Sequence, residues 1–318
     1  MEFEIIIDQI TILGILVLIG IIAAKAGIIA GPVKDGLAKI IINITLPLLV
    51  LTGISGMDVS VSLLKNSVFT LLFSLLMIAF MGLTGFLSSR LSKLPPKSSS
   101  VHLAHTMFGN IVYLGFPLIN ALFPGGEALY YAMLYYLVSS SVMWTFGIST
   151  LQGSRGATGF YRIKKLLNIN TLAFAIGFMM LTFSLRLPQV VESSLGGLGK
   201  TTIYLSMLYI GAMLAAVSWK KAIFSLQSYL LAWNKLIMIP LIGLLMYKGL
   251  EQFFTFPQDK LAVMVILLES AMPCMANIVV LAKVYGADDE MATQNVFITT
   301  LLSILSLPAI FFVLKHYI

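Results

Sequence analysis

The chain has 318 residues, of which 59% are hydrophobic and 10% charged, and its mean hydropathy is +0.98. Soluble domains carry about 25% charged residues, so this composition excludes a soluble enzyme or binding module and defines a polytopic membrane protein. The net charge of +7 does not point to nucleic acid, because the basic residues fall mostly in alternate short loops; the single cysteine, Cys274, excludes an internal disulfide.

Ten apolar stretches each approach the roughly 20 residues that a bilayer crossing needs. They lie at 6–27, 36–56, 66–89, 101–123, 128–151, 169–187, 198–218, 228–249, 261–284 and 291–315. Glu2 and Glu4 precede the first stretch and Asp8 lies in its first turn. A secretory signal would begin with basic residues, so this stretch is expected to be retained as a span. The second contains N-I-T-L-P-L-L at 43–49, where Pro47 kinks the helix and Asn43 or Thr45 is a candidate substrate contact.

The fourth span contains H-T-M-F-G-N-I-V-Y-L-G-F-P at 105–117, with Gly109, Asn110, Gly115 and Pro117 inside an apolar run. His102 and His105 stand three apart on one face with no carboxylate or cysteine cluster, so no metal site is expected. The fifth carries Tyr131, Tyr135 and Tyr136, then the hydroxyls of Ser139, Ser140 and Ser141. Lys235, a turn or two into the eighth span, has the length to snorkel to the cytoplasmic surface.

The ninth span is the most demanding. It carries Glu269, Pro273 and Asn277 at four-residue spacing. Proline removes a backbone donor and clashes with the carbonyl four residues back, here that of Glu269, so the helix should break. Broken backbone at membrane depth is tolerated only inside protein or against a water-filled cavity. At about 1.5 Å per residue, the breaks in the fourth and ninth spans fall near one depth. Two broken helices there would bring half-helix N-termini, which bind anions, to one place. Glu269, an intramembrane carboxylate and so a candidate functional group, has three roles open to it: neutral hydrogen-bonding partner, proton carrier, or oxygen ligand for Na+.

Thirteen Lys and Arg residues fall on one side of this arrangement, against six on the other. The richer side is cytoplasmic, which puts both termini outside a cell or inner membrane. The longest connection, 152–168, divides the chain into two halves of five spans, 1–151 and 169–318. An odd number per half makes the halves inverted. An offset of 163 pairs Glu127 with Glu290, Gly14 with Gly177 and Asn110 with Pro273. Inverted repeats with discontinuous helices at the midplane are a recurring transporter plan. No P-loop, GxSxG, HExxH or CxxC occurs, so neither ATP drive nor an enzyme is expected.

At these residues the chain resembles the auxin efflux carrier family of permeases, especially its bacterial members. The matching features are N-I-T-L-P-L-L in the second span, G-N-x-x-x-L-G-F-P-L in the fourth and A-M-P-x-x-A-N-x-x-V-L-A-x-x-Y-G-A-D in the ninth. Thr299, Thr300 and Ser303 leading to L-S-L-P in the tenth add to them. The resemblance covers essentially the whole chain. It implies an all-α fold of ten transmembrane helices in two inverted five-helix repeats, similar to bile acid/sodium symporters and sodium/proton antiporters. Spans 4 and 9 would cross at Pro117 and Pro273. Spans 1, 2, 6 and 7 would form a scaffold, commonly dimeric, and spans 3–5 and 8–10 a moving transport domain.

E-S-A-M-P, beginning at Glu269, also looks like the E-x-x-M-Q sodium-binding segment of bile acid symporters, with Pro273 where their glutamine stands. By that resemblance Glu269 matches a sodium ligand and Asn110 a neighbouring one. The expected substrate is a small organic anion, a carboxylate such as malate, malonate or an auxin-like acid. Its expected contacts are Gly109, Asn110, Ile111, Tyr113, Ala276 and Asn277, with Asn43, Thr45, Tyr135 and Ser139. The coupling ion, Na+ or H+, is expected at Glu269, Asn110, Met272, Ser139 and Ser140; no other cofactor is expected. The rival readings are an uncoupled uniporter and, from another class, a membrane sensor or enzyme on the same fold.

Overall fold

The computed structural model describes residues 2–56, 61–124, 126–153, 169–216, 223–253 and 259–318. The expected connecting loop therefore lies, beyond Gly153, outside the described residues. All described elements are helical, and the only bridge between extended residues among them joins Gly109 to Cys274.

In chain order the helices are α1 (Glu2–Lys25), α2 (Pro32–Ile40), α3 (Leu46–Ser55), α4 (Val61–Leu91), α5 (Pro96–Met107), α6 (Phe116–Leu122), α7 (Glu127–Val142) and α8 (Ile148–Gln152). They continue with α9 (Ile169–Thr182), α10 (Gln189–Ala215), α11 (Leu226–Trp233), α12 (Ile239–Phe253), α13 (Lys260–Ser270), α14 (Asn277–Tyr285) and α15 (Asp289–Tyr317). Single π-helical turns at Ile41–Thr45, Ile111–Gly115, Met143–Gly147 and Asn234–Met238 lead directly into α3, α6, α8 and α12. Three of them precede a proline by two residues: Pro47, Pro117 and Pro240. Proline cannot donate to the carbonyl four residues back and its ring crowds that carbonyl. A wider turn accommodates it without ending the helix.

Five helical stretches are long and apolar enough to cross a membrane: Pro32–Ser55, Lys65–Leu91, Gln189–Ala215, Leu226–Gln252 and Asp289–Tyr317. Thr11–Lys25, Ile111–Leu122 and Ile169–Thr182 are shorter apolar helices. Large apolar side chains such as Leu72, Leu245 and Leu305 are exposed on these helices. In a soluble protein they would be a liability; against lipid tails they cost nothing. The structure is that of a multi-pass membrane protein.

Packing divides the chain into two units. The first comprises 1–67, 112–134 and 167–216; the second comprises 68–111, 135–166 and 217–318. In the first, α1 packs along α10 at glycines. A Cβ on Gly20 would meet the Leu208 carbonyl, and one on Gly211 the Val17 carbonyl. Gly199 meets the main chain at Leu48 and Leu49 in the same way. Lipid is as apolar as leucine, so helices in it associate through close van der Waals contact, which small residues permit. Tyr130, Phe174 and Phe178 stack in this unit, and Tyr130 shares a 2.7 Å hydrogen bond with Ser67. In the second unit, Gly243 lies against Met77 and Leu267, and Gly82 against Met107.

Candidate functional site

The site grows from two helix breaks in the second unit. α5 stops at Met107, and Phe108 is extended, with φ −112° and ψ 122°. α13 stops at Ser270, and helix resumes only at Asn277. Main chain freed inside a membrane protein must find partners. Here each break supplies the other. The Asn110 N–H donates to the Pro273 carbonyl at 2.7 Å, and the Met275 N–H donates to the Phe108 carbonyl at 3.2 Å. These two bonds form the antiparallel bridge of Gly109 with Cys274. A Cβ on Gly109 would lie 3.0 Å from the Met272 Cβ and 3.3 Å from its carbonyl oxygen, so a side chain there would have to displace Met272.

A second layer of polar groups holds the bridge. The Cys274 N–H donates to the Thr299 hydroxyl at 3.0 Å, and that hydroxyl donates to the Asn295 carbonyl at 2.7 Å. The Asn295 side chain is hydrogen-bonded to His105 Nδ1 at 3.3 Å. Lys235 Nζ donates to the Thr106 carbonyl at 3.0 Å. His105 and Lys235 lie within electrostatic range of one another. All of these residues except Cys274 come from α5, α15 and the π turn before α12.

Glu269 sits in the last turn of α13 with no exposed surface. Neither carboxylate oxygen has a hydrogen-bond donor among the described residues. Its main-chain carbonyl accepts from the Met272 N–H at 3.2 Å. The C-terminal end of a helix carries partial negative charge, so the carboxylate stands where its ionised form is disfavoured without a cation. Tyr135 is buried and within electrostatic range of Glu269; its hydroxyl points to Met81 Sδ at 3.9 Å.

The structure brings Gly109, Asn110, Met272, Pro273, Ala276 and Glu269 into one buried segment pair. Ser139 is buried and Ser140 half-buried on α7, whereas Asn277 opens α14 with its side chain exposed. Ile111 begins the π turn after the bridge. Asn43, Thr45 and Tyr113 belong to the first unit. Asn43 is exposed and donates to its own helix at the Lys39 carbonyl, Thr45 is buried, and the Tyr113 ring lies 4.6 Å from that of Tyr209.

Two expectations differ from the observed geometry. The break in the fourth span falls at residues 108–110. Pro117 lies instead in the first turn of α6, where its missing N–H is absorbed by the preceding π turn. Lys235 does not snorkel: it is fully buried and turned toward α5. The histidine pair is also divided, with His102 Nε2 on Ser88 at 2.7 Å and His105 on Asn295. Thr106 and Asn295 are new members of the site. The four-residue spacing of Asn295 and Thr299 on an otherwise apolar helix is the signal that could have found Asn295.

A buried carboxylate, a buried lysine and interrupted backbone in a multi-pass protein follow the plan on which secondary transporters build their binding sites. The family model described as membrane transport protein matches residues 5–311, and the chain belongs to this family, that of the auxin efflux carrier permeases. It is similar to an uncharacterized transporter of Methanocaldococcus jannaschii, at 27% identity over 94% of this chain and 95% of the relative. It is also similar to an uncharacterized transporter of Methanothermobacter thermautotrophicus, at 25% identity over 92% of this chain and 93% of the relative.

Proposed function

We propose that the chain is a secondary active transporter of a small organic anion, a carboxylate such as malate, malonate or an auxin-like acid, coupled to Na+ or H+ through Glu269. The observation that carries this is the bare carboxylate of Glu269, buried at a helix C-terminus with no donor to either oxygen. A buried charge without a partner costs several kcal/mol. A group so placed is kept for what it binds, and a proton or a hard cation is what it binds. Gly109, Ile111 and Ala276, beside the bridge, offer the substrate main chain, and Asn110, whose own N–H is held by Pro273, offers its side-chain amide, as does Asn277.

The same reading has ten spans in two inverted halves and an elevator movement of the second unit against the first. Two observations support it. Spans 1, 2, 6 and 7 fall in the first unit and spans 3, 8, 9 and 10 in the second, while spans 4 and 5, expected in the moving part, are each divided between the two, at 111/112 and 134/135. Met107 and Ser270, the last residues of α5 and α13, stand 163 positions apart, the offset found in the sequence. A homodimer in the cell membrane with both termini outside completes the reading.

The test is uptake by proteoliposomes of radiolabelled malate, malonate, lactate and indole-3-acetate, with and without Na+ and pH gradients. Accumulation of one of them above equilibrium under a gradient is expected. Downhill equilibration that ignores both gradients would favour an uncoupled uniporter, and no uptake at all would remove the organic anion.

A further inference from the structure

Lys235 is the one lysine or arginine without exposed surface among the described residues. An ammonium inside a membrane protein needs counter-charge or acceptors. It has three N–H donors, and one acceptor is present: the Thr106 carbonyl at 3.0 Å. No carboxylate is recorded within salt-bridge distance of it among the described residues. The polar groups facing it are His105 on α5 and Cys274 at the bridge, neither of which brings a negative carboxylate. Capping the C-terminal end of α5 uses one of these donors and favours a cation. Lys235 has two further donors beside the segment where the two helices are broken.

We propose that Lys235 is the fixed positive charge that selects an anion at the crossover. The inference rests on the reading above that the crossover carries an organic anion, and it assigns the charge to a side chain rather than to helix ends alone. Glu269, on the partner segment, repels an anion while it is ionised. Once a proton or Na+ neutralises it, the Lys235 ammonium stands beside the bridge with no carboxylate partner among the described residues. The carboxylate then binds after the cation, and a monocarboxylate leaves the loaded interior neutral. Lys235 is a positioning residue that acts through the potential it sets at residues 108–110 and 273–276.

The experiment compares the native chain with Lys235→Gln and Lys235→Arg in proteoliposomes, using labelled lactate, indole-3-acetate and malonate. Glutamine keeps a donor for the Thr106 carbonyl and removes the charge; arginine keeps both. The expected result is a KM raised about tenfold or more in Lys235→Gln, as for removal of one buried charge that attracts the anion, with a smaller change in kcat. Lys235→Arg should stay within about threefold of native. An unchanged KM in Lys235→Gln, or equal impairment of both variants, would overturn the proposal while leaving carboxylate transport standing. No uptake by the native chain would remove the transport reading and this inference together. If Lys235→Gln is not monodisperse, Lys235→Met is the second neutral variant. Failure of both to fold, with arginine folding, would assign the lysine to structure alone and overturn the proposal.

Discussion

The main-chain N–H of Asn110 donates to the carbonyl of Pro273 at 2.7 Å, across 163 residues of sequence. One residue comes from a break in the fourth predicted span and the other from a break in the ninth. Each break exposes backbone that the other satisfies, so neither segment is stable in lipid without its partner. The crossover is therefore a single structural unit, sensitive to changes on either strand.

Replacing Gly109 tests that closeness. A valine there would drive its Cβ to about the 3.0 Å approach to Met272 Cβ, and overpacking of this kind costs roughly 1–3 kcal/mol. Gly109→Val should lower the Tm in detergent and abolish uptake. A Tm and uptake equal to native would mean that the bridge is not required.

The Thr299 hydroxyl is the acceptor for the Cys274 N–H. Thr299→Val keeps the shape and leaves that N–H without its acceptor, at a cost of about 1–3 kcal/mol. Thr299→Ser should be close to neutral. Thermal unfolding of both variants checks this, and equal stability of valine and serine would remove the hydroxyl from the account.

Packing of α1 on α10 gives a test away from the site. A Cβ on Gly211 of α10 collides with the Val17 carbonyl, whereas one on Gly14 of α1 has nothing within 4 Å. Gly211→Leu should sharply reduce the yield of folded protein, and Gly14→Ala should not. Size-exclusion profiles of the two variants decide it.

Much of this was legible in the sequence because membrane depth makes polar residues and prolines expensive. The break at Pro273 follows from a missing N–H and a crowded Glu269 carbonyl, and the buried carboxylate follows from an apolar span that contains it. The break beside Asn110 was legible from Gly109 and Asn110, but Pro117 was a false lead. A proline two residues after a π turn is absorbed by that turn, and hydropathy carries no trace of it. Lys235 misled for a related reason. It stands in the π turn of Asn234–Met238, where the helical phase shifts, so counting residues from the span's end could not tell its direction. Thr106 entered the site through its carbonyl, and no side-chain pattern reports that.

The central claim is that Glu269 carries the coupling cation. It is tested most directly by comparing native and Glu269→Gln proteoliposomes, loaded with the transported carboxylate, for accumulation under a cation gradient and for passive exchange. With coupling at Glu269, the native chain accumulates above equilibrium, while Glu269→Gln exchanges labelled for unlabelled substrate and accumulates none. Accumulation by Glu269→Gln at the native level would contradict the claim and take Glu269 out of the mechanism.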